Sequence, residues 1–158
     1  MQVQDFMNKD VSYCSPGTNA STVAEIMWRK NCGVLPIVDN GHVVGTVTDR
    51  DLFIALGTSN RRPSELVVGE IMRRDPAVCD QASDIRTALR IMGQRQLRRL
   101  PVVDERGTLK GILSISDVAL RAPDELSTDL LTVIRAVLDR RDRRKAAQRA
   151  AWFEQQAA

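Results

Sequence analysis

The amino-acid sequence predicts a mixed α/β (α+β) fold: two tandem β-α-β-β-α repeats packed as a pseudo-symmetric pair, followed by a C-terminal helix. The first observation is an internal repeat, in which the segment Val3–Met7 (VQDFM) returns as Val68–Met72 (VGEIM). The second is that matching strand, turn and helix patterns follow both segments in the same order. The third is a run of apolar residues at helical spacing near the C-terminus. Because a repeat of this size rarely buries its apolar face alone, the two copies are expected to pack on each other.

The repeat also predicts how the chain is divided. The first repeat spans 2–57 and the second 68–122, with a linker at 58–67 and a basic amphipathic helix at 123–158. The 158 residues are enough for one compact domain, and the 43% hydrophobic and 27% charged fractions are those of an ordinary globular protein. No apolar run approaches the roughly 18 residues that cross a bilayer. The N-terminus lacks the basic start and apolar stretch of a secretory leader, so we expect a cytoplasmic protein.

A helix with its own cap is predicted in the first half of each repeat. The cap is Thr18 or Asn19 in the first repeat and Ser83 or Asp84 in the second. Extended segments precede these helices, and Cys14 and Cys79 occupy equivalent positions in them. We therefore expect both cysteines to be small buried apolar residues and not reactive thiols. The apolar positions of the helices recur at helical spacing: Val23, Ile26 and Met27, then Ile85, Ala88, Leu89 and Met92.

A pair of strands joined by a tight turn follows each of these helices. The glycine in each turn supplies a positive φ at little steric cost. Pro36 and Pro101 each lie in the first strand of a pair, which favours an edge or a strand start over a central position. A second helix begins near Asp51 or Asp117. The strands are predicted at 34–38 and 43–47, then at 100–103 and 109–113.

The segment Arg98–Asp104 (RRLPVVD) with Gly111–Asp117 (GILSISD) resembles the CBS domain, the module first named in cystathionine β-synthase. The first repeat carries its copy of the terminal motif at Thr48–Asp51 (TDRD). The resemblance covers about residues 2–121 as a tandem pair of the stand-alone type. Its second repeat is similar to the nucleotide-binding repeats of the AMP-activated kinase gamma subunit. This resemblance implies ligands with an adenosine moiety (AMP, ADP, ATP or S-adenosylmethionine), bound in two clefts between the repeats.

The resemblance also implies residue roles. The aspartate at the start of the last helix would hold the ribose hydroxyls, while the serine or threonine three residues earlier and the basic residues before the second strand would approach phosphate. Adenine would lie against the first strand of the opposite repeat. The better cleft, named here the Asp117 site, would comprise Asp10, Val11, Ser12, Cys32, Arg98, Arg99, Ser114, Ser116 and Asp117. The other cleft, the Asp51 site, would comprise Asp75, Pro76, Ala77, Leu97, Val34, Thr48, Arg50 and Asp51.

The two sites differ in their cations. A carboxylate can accept two hydrogen bonds from a vicinal diol, and arginine offers a planar fork to phosphate oxygens. Where the second repeat has Arg98 and Arg99, the first has Gly33 and Val34, which leaves Arg50 as its phosphate partner. We therefore expect the Asp51 site to bind more weakly, to take another ligand or to be empty.

One interpretation of the two terminal motifs needs no nucleotide, and the sequence shows no sign of catalysis. Thr48-x-x-Asp51 and Ser114-x-x-Asp117 also fit helix capping without any ligand. The sequence has no nucleophile–base pair, metal-ligand spacing or glycine-rich phosphate loop, so we expect a protein that is not an enzyme and has no catalytic cofactor or metal.

The C-terminal segment combines an apolar stripe with a basic run. The stripe consists of Leu130, Ile134, Val137 and Leu138, after a cap at Ser127, Thr128 or Asp129. The segment from Asp139 to Arg149 contains six basic and two acidic residues, which accounts for the net charge of +3. Such a run is ordinarily a solvated helix face, but Trp152 and Phe153 favour a protein partner or a dimer mate.

These features predict a regulatory or sensor module that binds adenine nucleotides and forms a homodimer through the helices of its repeats. The C-terminal helix is expected to serve assembly or a protein partner, whereas contacts with nucleic acid or a membrane are not expected. The rival interpretation is a dimerisation or scaffold module whose clefts bind no ligand. In that case the basic helix would contact a protein partner or nucleic acid.

Overall fold

A computed structural model describes residues 1–156, except for the side chains of 140–142, 144–145, 149–150 and 152–156. It has the predicted mixture of helices and strands, including the C-terminal helix. Single 3₁₀ turns lie at Val3–Asp5 and Asp124–Leu126. The strands are β1 (Val34–Asp39), β2 (His42–Thr48), β3 (Arg73–Arg74), β4 (Cys79–Asp80), β5 (Arg99–Val103) and β6 (Leu109–Ser114). The helices are α1 (Ala20–Arg29), α2 (Asp49–Thr58), α3 (Val68–Ile71), α4 (Ile85–Arg95), α5 (Ile115–Arg121) and α6 (Ser127–Gln156).

The chain forms two compact units, which are named here after one element of each. The β1 unit comprises residues 8–81 and 101–112. The α6 unit comprises residues 1–7, 82–100 and those from 113 onward. Strands β5 and β6 each run from one unit into the other.

The core of the β1 unit lies between helix α1 and the antiparallel β1–β2 pair. Asn19 caps α1 by accepting a hydrogen bond from the Thr22 N–H at 2.9 Å, one of the two caps expected. Val23 and Met27 of the predicted stripe are buried, and Ile26 is half-buried against the same cluster. The turn after β1 places Gly41 at φ +84°, the left-handed region that favours glycine.

The segment leading into the second repeat packs on the first repeat. The Ala20 N–H donates to the Leu66 carbonyl at 2.8 Å, and the Val68 N–H donates to the Thr18 carbonyl at 2.9 Å. Five residues after Val68, β3 adds to β2, with Arg73 opposite Thr46. Gly45 permits this pairing, because a Cβ there would lie 2.9 Å from the Arg73 carbonyl oxygen.

The second sheet has the order β4-β5-β6, which corrects one expectation. Pro101 lies in the central strand, not at an edge or a strand start. The reason is that β4 pairs in parallel only with Val102 and Val103, beyond the proline that lacks an N–H. Pro36 does lie in an outer strand, although Cys14 forms a single bridge beside it with Ile37.

In the α6 unit, helix α4 packs against the first part of α6. Asp84 caps α4, and the four predicted apolar positions, Ile85, Ala88, Leu89 and Met92, are all buried. Residues 1–7 join this unit through the Val3 N–H, which donates to the Ser83 carbonyl at 2.9 Å.

Helix α6 buries an apolar contact inside its own chain, one position away from the predicted stripe. Val133, which the sequence prediction did not include, is 4% exposed and faces Gly93 of α4, while Leu138 is half exposed. The Arg86 Nε pairs with the Asp129 carboxylate at 3.1 Å and joins the same two helices. The buried contact of α6 with α4 is thus made by Val133, while the predicted stripe residues remain half-buried or exposed, and their role in assembly stays a prediction.

Part of the C-terminal segment lies outside the described side chains. These include five cations of the basic run and the aromatic residues Trp152 and Phe153. Of that run, Arg143 pairs with Asp139 at 2.7 Å in an exposed position. Among the residues described, none of the helices has the length and apolar character needed to cross a membrane.

Candidate functional site

A cavity of about 200 Å³ lies in the α6 unit where β5, α5 and α6 meet. Its polar wall contains four of the residues expected for the Asp117 site: Arg98, Arg99, Ser114 and Ser116. Its apolar wall contains Ile115 and, from helix α6, Ile134, Val137 and Leu138. The cavity therefore combines two cations and two hydroxyls with an apolar surface.

The arginines reach this cavity because the start of β5 is tied to the start of α5. Arg98 immediately precedes β5 and Arg99 is its first residue. The Arg98 carbonyl accepts a hydrogen bond from the Ile115 N–H at 3.0 Å, which holds the two ends together. Both arginines are exposed, and none of the carboxylates described in the structure forms an ion pair with either. Two unpaired guanidinium groups beside hydroxyls can bind an anion.

Ser114 and Asp117 form the capping box of α5. The Asp117 N–H donates to the Ser114 Oγ at 3.0 Å, and the Ser114 N–H donates to the Asp117 Oδ2 at 3.0 Å. The Ser114 hydroxyl also donates to Oδ2. Among the described contacts the second carboxylate oxygen, Oδ1, accepts no hydrogen bond, but Asp117 is not among the residues that line the cavity.

The equivalent residues of the Asp51 site form the same capping box, but an arginine is added. Thr48 and Asp51 exchange hydrogen bonds at the start of α2, as Ser114 and Asp117 do at α5. In addition, the Arg73 Nη2 donates to Asp51 Oδ1 at 2.7 Å, and its Nε lies 3.2 Å from Oδ1 and 3.1 Å from Oδ2. Both carboxylate oxygens are therefore engaged.

This environment changes the acidity of Asp51. Burial acts to raise the pKa of the carboxyl group, but the hydrogen bonds from Arg73 and Thr48 outweigh it and hold the pKa below its ordinary value. The Asp51 side chain is only 13% exposed, whereas that of Arg73 is 49% exposed, so the carboxylate of this ion pair is shielded from water and the guanidinium group is only partly shielded.

A further carboxylate lies where the other repeat has a cation. Gly33 takes the position of Arg98, and a Cβ at Gly33 would lie 3.0 Å from the Asp49 Oδ2. Asp49 itself takes the position of Ile115, which lines the cavity of the other repeat. Arg50, the predicted phosphate partner, is exposed on the first turn of α2. The Asp51 site therefore has a carboxylate beside the position at which the other repeat has Arg98, although Arg50 and Arg73 are also present.

The remaining predicted residues are divided between the units. Asp10, Val11, Ser12 and Cys32 of the Asp117 site lie in the β1 unit, where Asp10 is 3.9 Å from the Lys30 Nζ. For the Asp51 site, Val34, Asp75, Pro76 and Ala77 lie in the β1 unit with Asp51, and Leu97 lies in the α6 unit. Asp75 has a φ of +54°, directly after β3.

The sequence prediction did not include Arg73, Asp49 or the α6 residues. The repeat does contain a signal for Arg73. The matching residue of the first copy is Asn8, so the two copies differ in charge at this position. The α6 residues were recognised as an apolar stripe, but nothing in the sequence placed them beside Arg98. Among the described residues there is also no group of three histidine, cysteine or carboxylate side chains that could hold a metal ion.

Comparison with known proteins identifies the class. The family model for the CBS domain matches residues 3–58 and again 68–123. The chain therefore belongs to the CBS domain family and carries the domain as a tandem pair, as its sequence predicted.

Three relatives resemble the chain over most of its length. The CBS domain-containing protein YhcV of Bacillus subtilis is 32% identical over 118 residues, which cover 75% of this chain and 83% of YhcV. The structure of CBSX2 of Arabidopsis thaliana in complex with AMP is 32% identical, with a TM-score of 0.65 over 77% of this chain and 95% of that one. The CBS domain pair of protein MJ0100, in complex with 5′-methylthioadenosine and S-adenosyl-L-methionine, is 25% identical, with a TM-score of 0.67 over 76% of this chain and 94% of that one.

Proposed function

We propose that the protein is a regulatory module that binds an adenine nucleotide at the Asp117 site. The observation that carries this proposal is the cavity beside Arg98 and Arg99, in which two arginines without a described carboxylate partner face Ser114 and Ser116. AMP, ADP and ATP are anions with a ribose diol, so they match both the guanidinium pair and the open oxygen of Asp117.

The relatives support the adenosine part of this proposal. CBSX2 was solved with AMP, and the MJ0100 pair with 5′-methylthioadenosine and S-adenosyl-L-methionine, and all three ligands contain adenosine. The two arginines of this chain favour a ligand that also carries phosphate. We therefore rank AMP, ADP and ATP above S-adenosylmethionine for the Asp117 site.

Removing one guanidinium group tests the phosphate part of the proposal. Arg99→Ala should weaken the binding of AMP by about tenfold or more, because a charge-assisted hydrogen bond contributes roughly 1.5–3 kcal/mol. The same variant should bind adenosine nearly as well as the wild type, since adenosine has no phosphate. Isothermal titration calorimetry with both ligands measures this difference.

Arg90→Ala is a matched control for this experiment. Arg90 is an exposed arginine of the same unit, on α4, and is not part of the cavity wall. It should leave both affinities unchanged. Equal losses of AMP and adenosine binding in Arg99→Ala would mean that Arg99 acts through packing. If the wild type binds neither ligand, the capping boxes of Asp51 and Asp117 are purely structural, and the scaffold interpretation replaces the sensor.

We further propose that the protein acts as a homodimer and does not catalyse a reaction. The family model for the CBS domain matches residues 3–58 and 68–123, and the relatives described above are CBS pairs, which supports a regulatory role. Large apolar side chains are exposed on helices of the repeats: Trp28 at 82%, Phe53 at 79% and Leu120 at 85%. A second copy of the chain is the occupant that would cover such faces.

A further inference from the structure

The two repeats use the same capping motif, but only one of them has an arginine on its aspartate. In the Asp51 site both carboxylate oxygens accept from Arg73, whereas the Asp117 Oδ1 accepts no described hydrogen bond. A carboxylate needs its lone pairs to hold a ribose diol. Arg73 therefore engages the same oxygens that a nucleoside would need.

The position of Arg73 follows from the strand pairing of the β1 unit. Arg73 is opposite Thr46 in the β2–β3 pair, and Thr48 lies two residues further along β2. Side chains two residues apart lie on the same face of a strand, so Arg73 projects from the face that carries Thr48 and reaches Asp51 three residues later. Asn8, at the matching position of the first copy, forms a bridge with Ile112 of β6. Its side-chain oxygen accepts from the Asp10 N–H at 3.0 Å.

A second observation concerns which ligand the Asp51 site would favour if it were open. Gly33 lies beside the Asp49 carboxylate, at the position where the other repeat has Arg98. An anionic phosphate would meet a carboxylate there instead of a guanidinium group. Even without Arg73, the Asp51 site should therefore favour an uncharged nucleoside over a nucleotide.

We propose that Arg73 is a specificity-determining residue that keeps the Asp51 site closed to adenosine-containing ligands by occupying the carboxylate that would hold the ribose. This inference rests on the proposed function, because it takes Asp51 as the counterpart of a ribose-binding Asp117. Its consequence is a stoichiometry of one ligand per chain, although the chain has two repeats of one motif.

The test is the number of ligands bound per full-length chain, measured by calorimetry with adenosine and with AMP. Arg73→Ala and Arg73→Asn remove the guanidinium group, and the second of these introduces the residue found at the matching position of the first repeat. Arg74→Ala is the matched control, because the Arg74 guanidinium group lies next to Arg73 in the sequence and, among the described contacts, donates only to the Gly69 carbonyl. Circular dichroism melting verifies that each variant is folded, and Arg73→Lys, which retains a cation, is the conservative alternative if both others fail to fold.

We expect one adenosine per chain in the wild type and in Arg74→Ala, and two in both Arg73 variants, with AMP weaker than adenosine at the additional site. If Arg73→Lys is the variant measured, a weak second adenosine site should appear, because lysine cannot engage both oxygens as a fork. One adenosine in all variants, or two in the wild type, would overturn the role of Arg73 and leave the nucleotide proposal intact. No binding in the wild type but one adenosine in the Arg73 variants would support the role of Arg73 and reject the Asp117 site. No binding in any variant would reject both.

Discussion

At the scale of single residues, Asp51 and Asp117 occupy one motif in two different environments. Each accepts hydrogen bonds from the cap residue before its helix, so each stabilises that helix without a ligand. Only Asp51 has a guanidinium partner, in a position where its side chain is 13% exposed. Its charge is therefore committed to the fold, whereas no described guanidinium group pairs with Asp117.

This commitment predicts a dependence of stability on pH. The folded-state pKa of Asp51 is lowered, so its carboxylate stabilises the fold at pH values above its unfolded pKa of about 3.9. That contribution is lost as the pH falls from this value toward the folded pKa. Asp51→Asn should therefore reduce the slope of the unfolding free energy against pH below about pH 5, as measured by urea unfolding at a series of pH values.

Two arginine variants separate the cause of this effect. Arg73→Ala removes the main partner of Asp51 and should reduce the same slope, while Arg74→Ala should leave it unchanged. A slope that is identical in the wild type and in Arg73→Ala would show that the ion pair does not hold the pKa of Asp51 down.

Local and long-range features of the sites differ in how far the sequence predicted them. The caps Asn19 and Asp84 were each predicted as one of two neighbouring residues, because an N-cap is a local pattern of side chain and backbone. The pairing of Arg73 with Asp51 spans 22 residues and depends on the β2–β3 register, which no local pattern contains. The cavity wall from α6 depends in the same way on tertiary packing.

At the scale of elements, α4 and α6 show why periodicity identifies a buried face but not its partner. The stripe of α4 was predicted residue by residue, since it has a helical period and a capped start. The stripe of α6 was also recognised, yet its partner, α4, lies far away in the sequence. Pro101 was wrongly expected at an edge or a strand start. The sequence does not reveal that β4 is only two residues long and pairs with Val102 and Val103, so that no hydrogen bond from residue 101 to β4 is required.

The packing of α6 on α4 gives a prediction for Val133. This side chain is 4% exposed and lies near Gly93. Val133→Ala removes two buried methyl groups and should lower the free energy of unfolding by about 1.5 kcal/mol, after the better helix propensity of alanine has offset part of the loss. Urea unfolding followed by circular dichroism measures the change.

Leu131→Ala is the control on the same helix, because Leu131 is 52% exposed. It should change the stability by less than about 0.5 kcal/mol, as is usual for surface substitutions. If both variants behave alike, α6 does not contribute its buried face to the α6 unit in solution, and the helix is free for the assembly role that the sequence suggested.

At the scale of the whole molecule, the repeats exchange their leading segments. Residues 1–7 of the first repeat pack in the α6 unit with α4, and the segment around Val68 packs on α1 in the β1 unit. A boundary between the repeats in sequence is therefore not a boundary between compact units. The repeat in the sequence predicted that the two copies pack on each other. It did not predict that their leading segments are exchanged, because that depends on the course of the folded backbone.

The last prediction concerns the helix faces that the folded chain leaves uncovered. Phe53 of α2 and Trp28 of α1 are both about four-fifths exposed, so a second copy of the chain is expected to cover them. Phe53→Glu would place a charge in that contact and should convert the dimer to a monomer, as measured by sedimentation velocity. Tyr13→Glu is the control, because Tyr13 is 58% exposed but lies outside the helices and should leave the dimer unchanged. If Phe53→Glu sediments like the wild type, this face does not form the interface; a monomeric wild type would reject the homodimer itself.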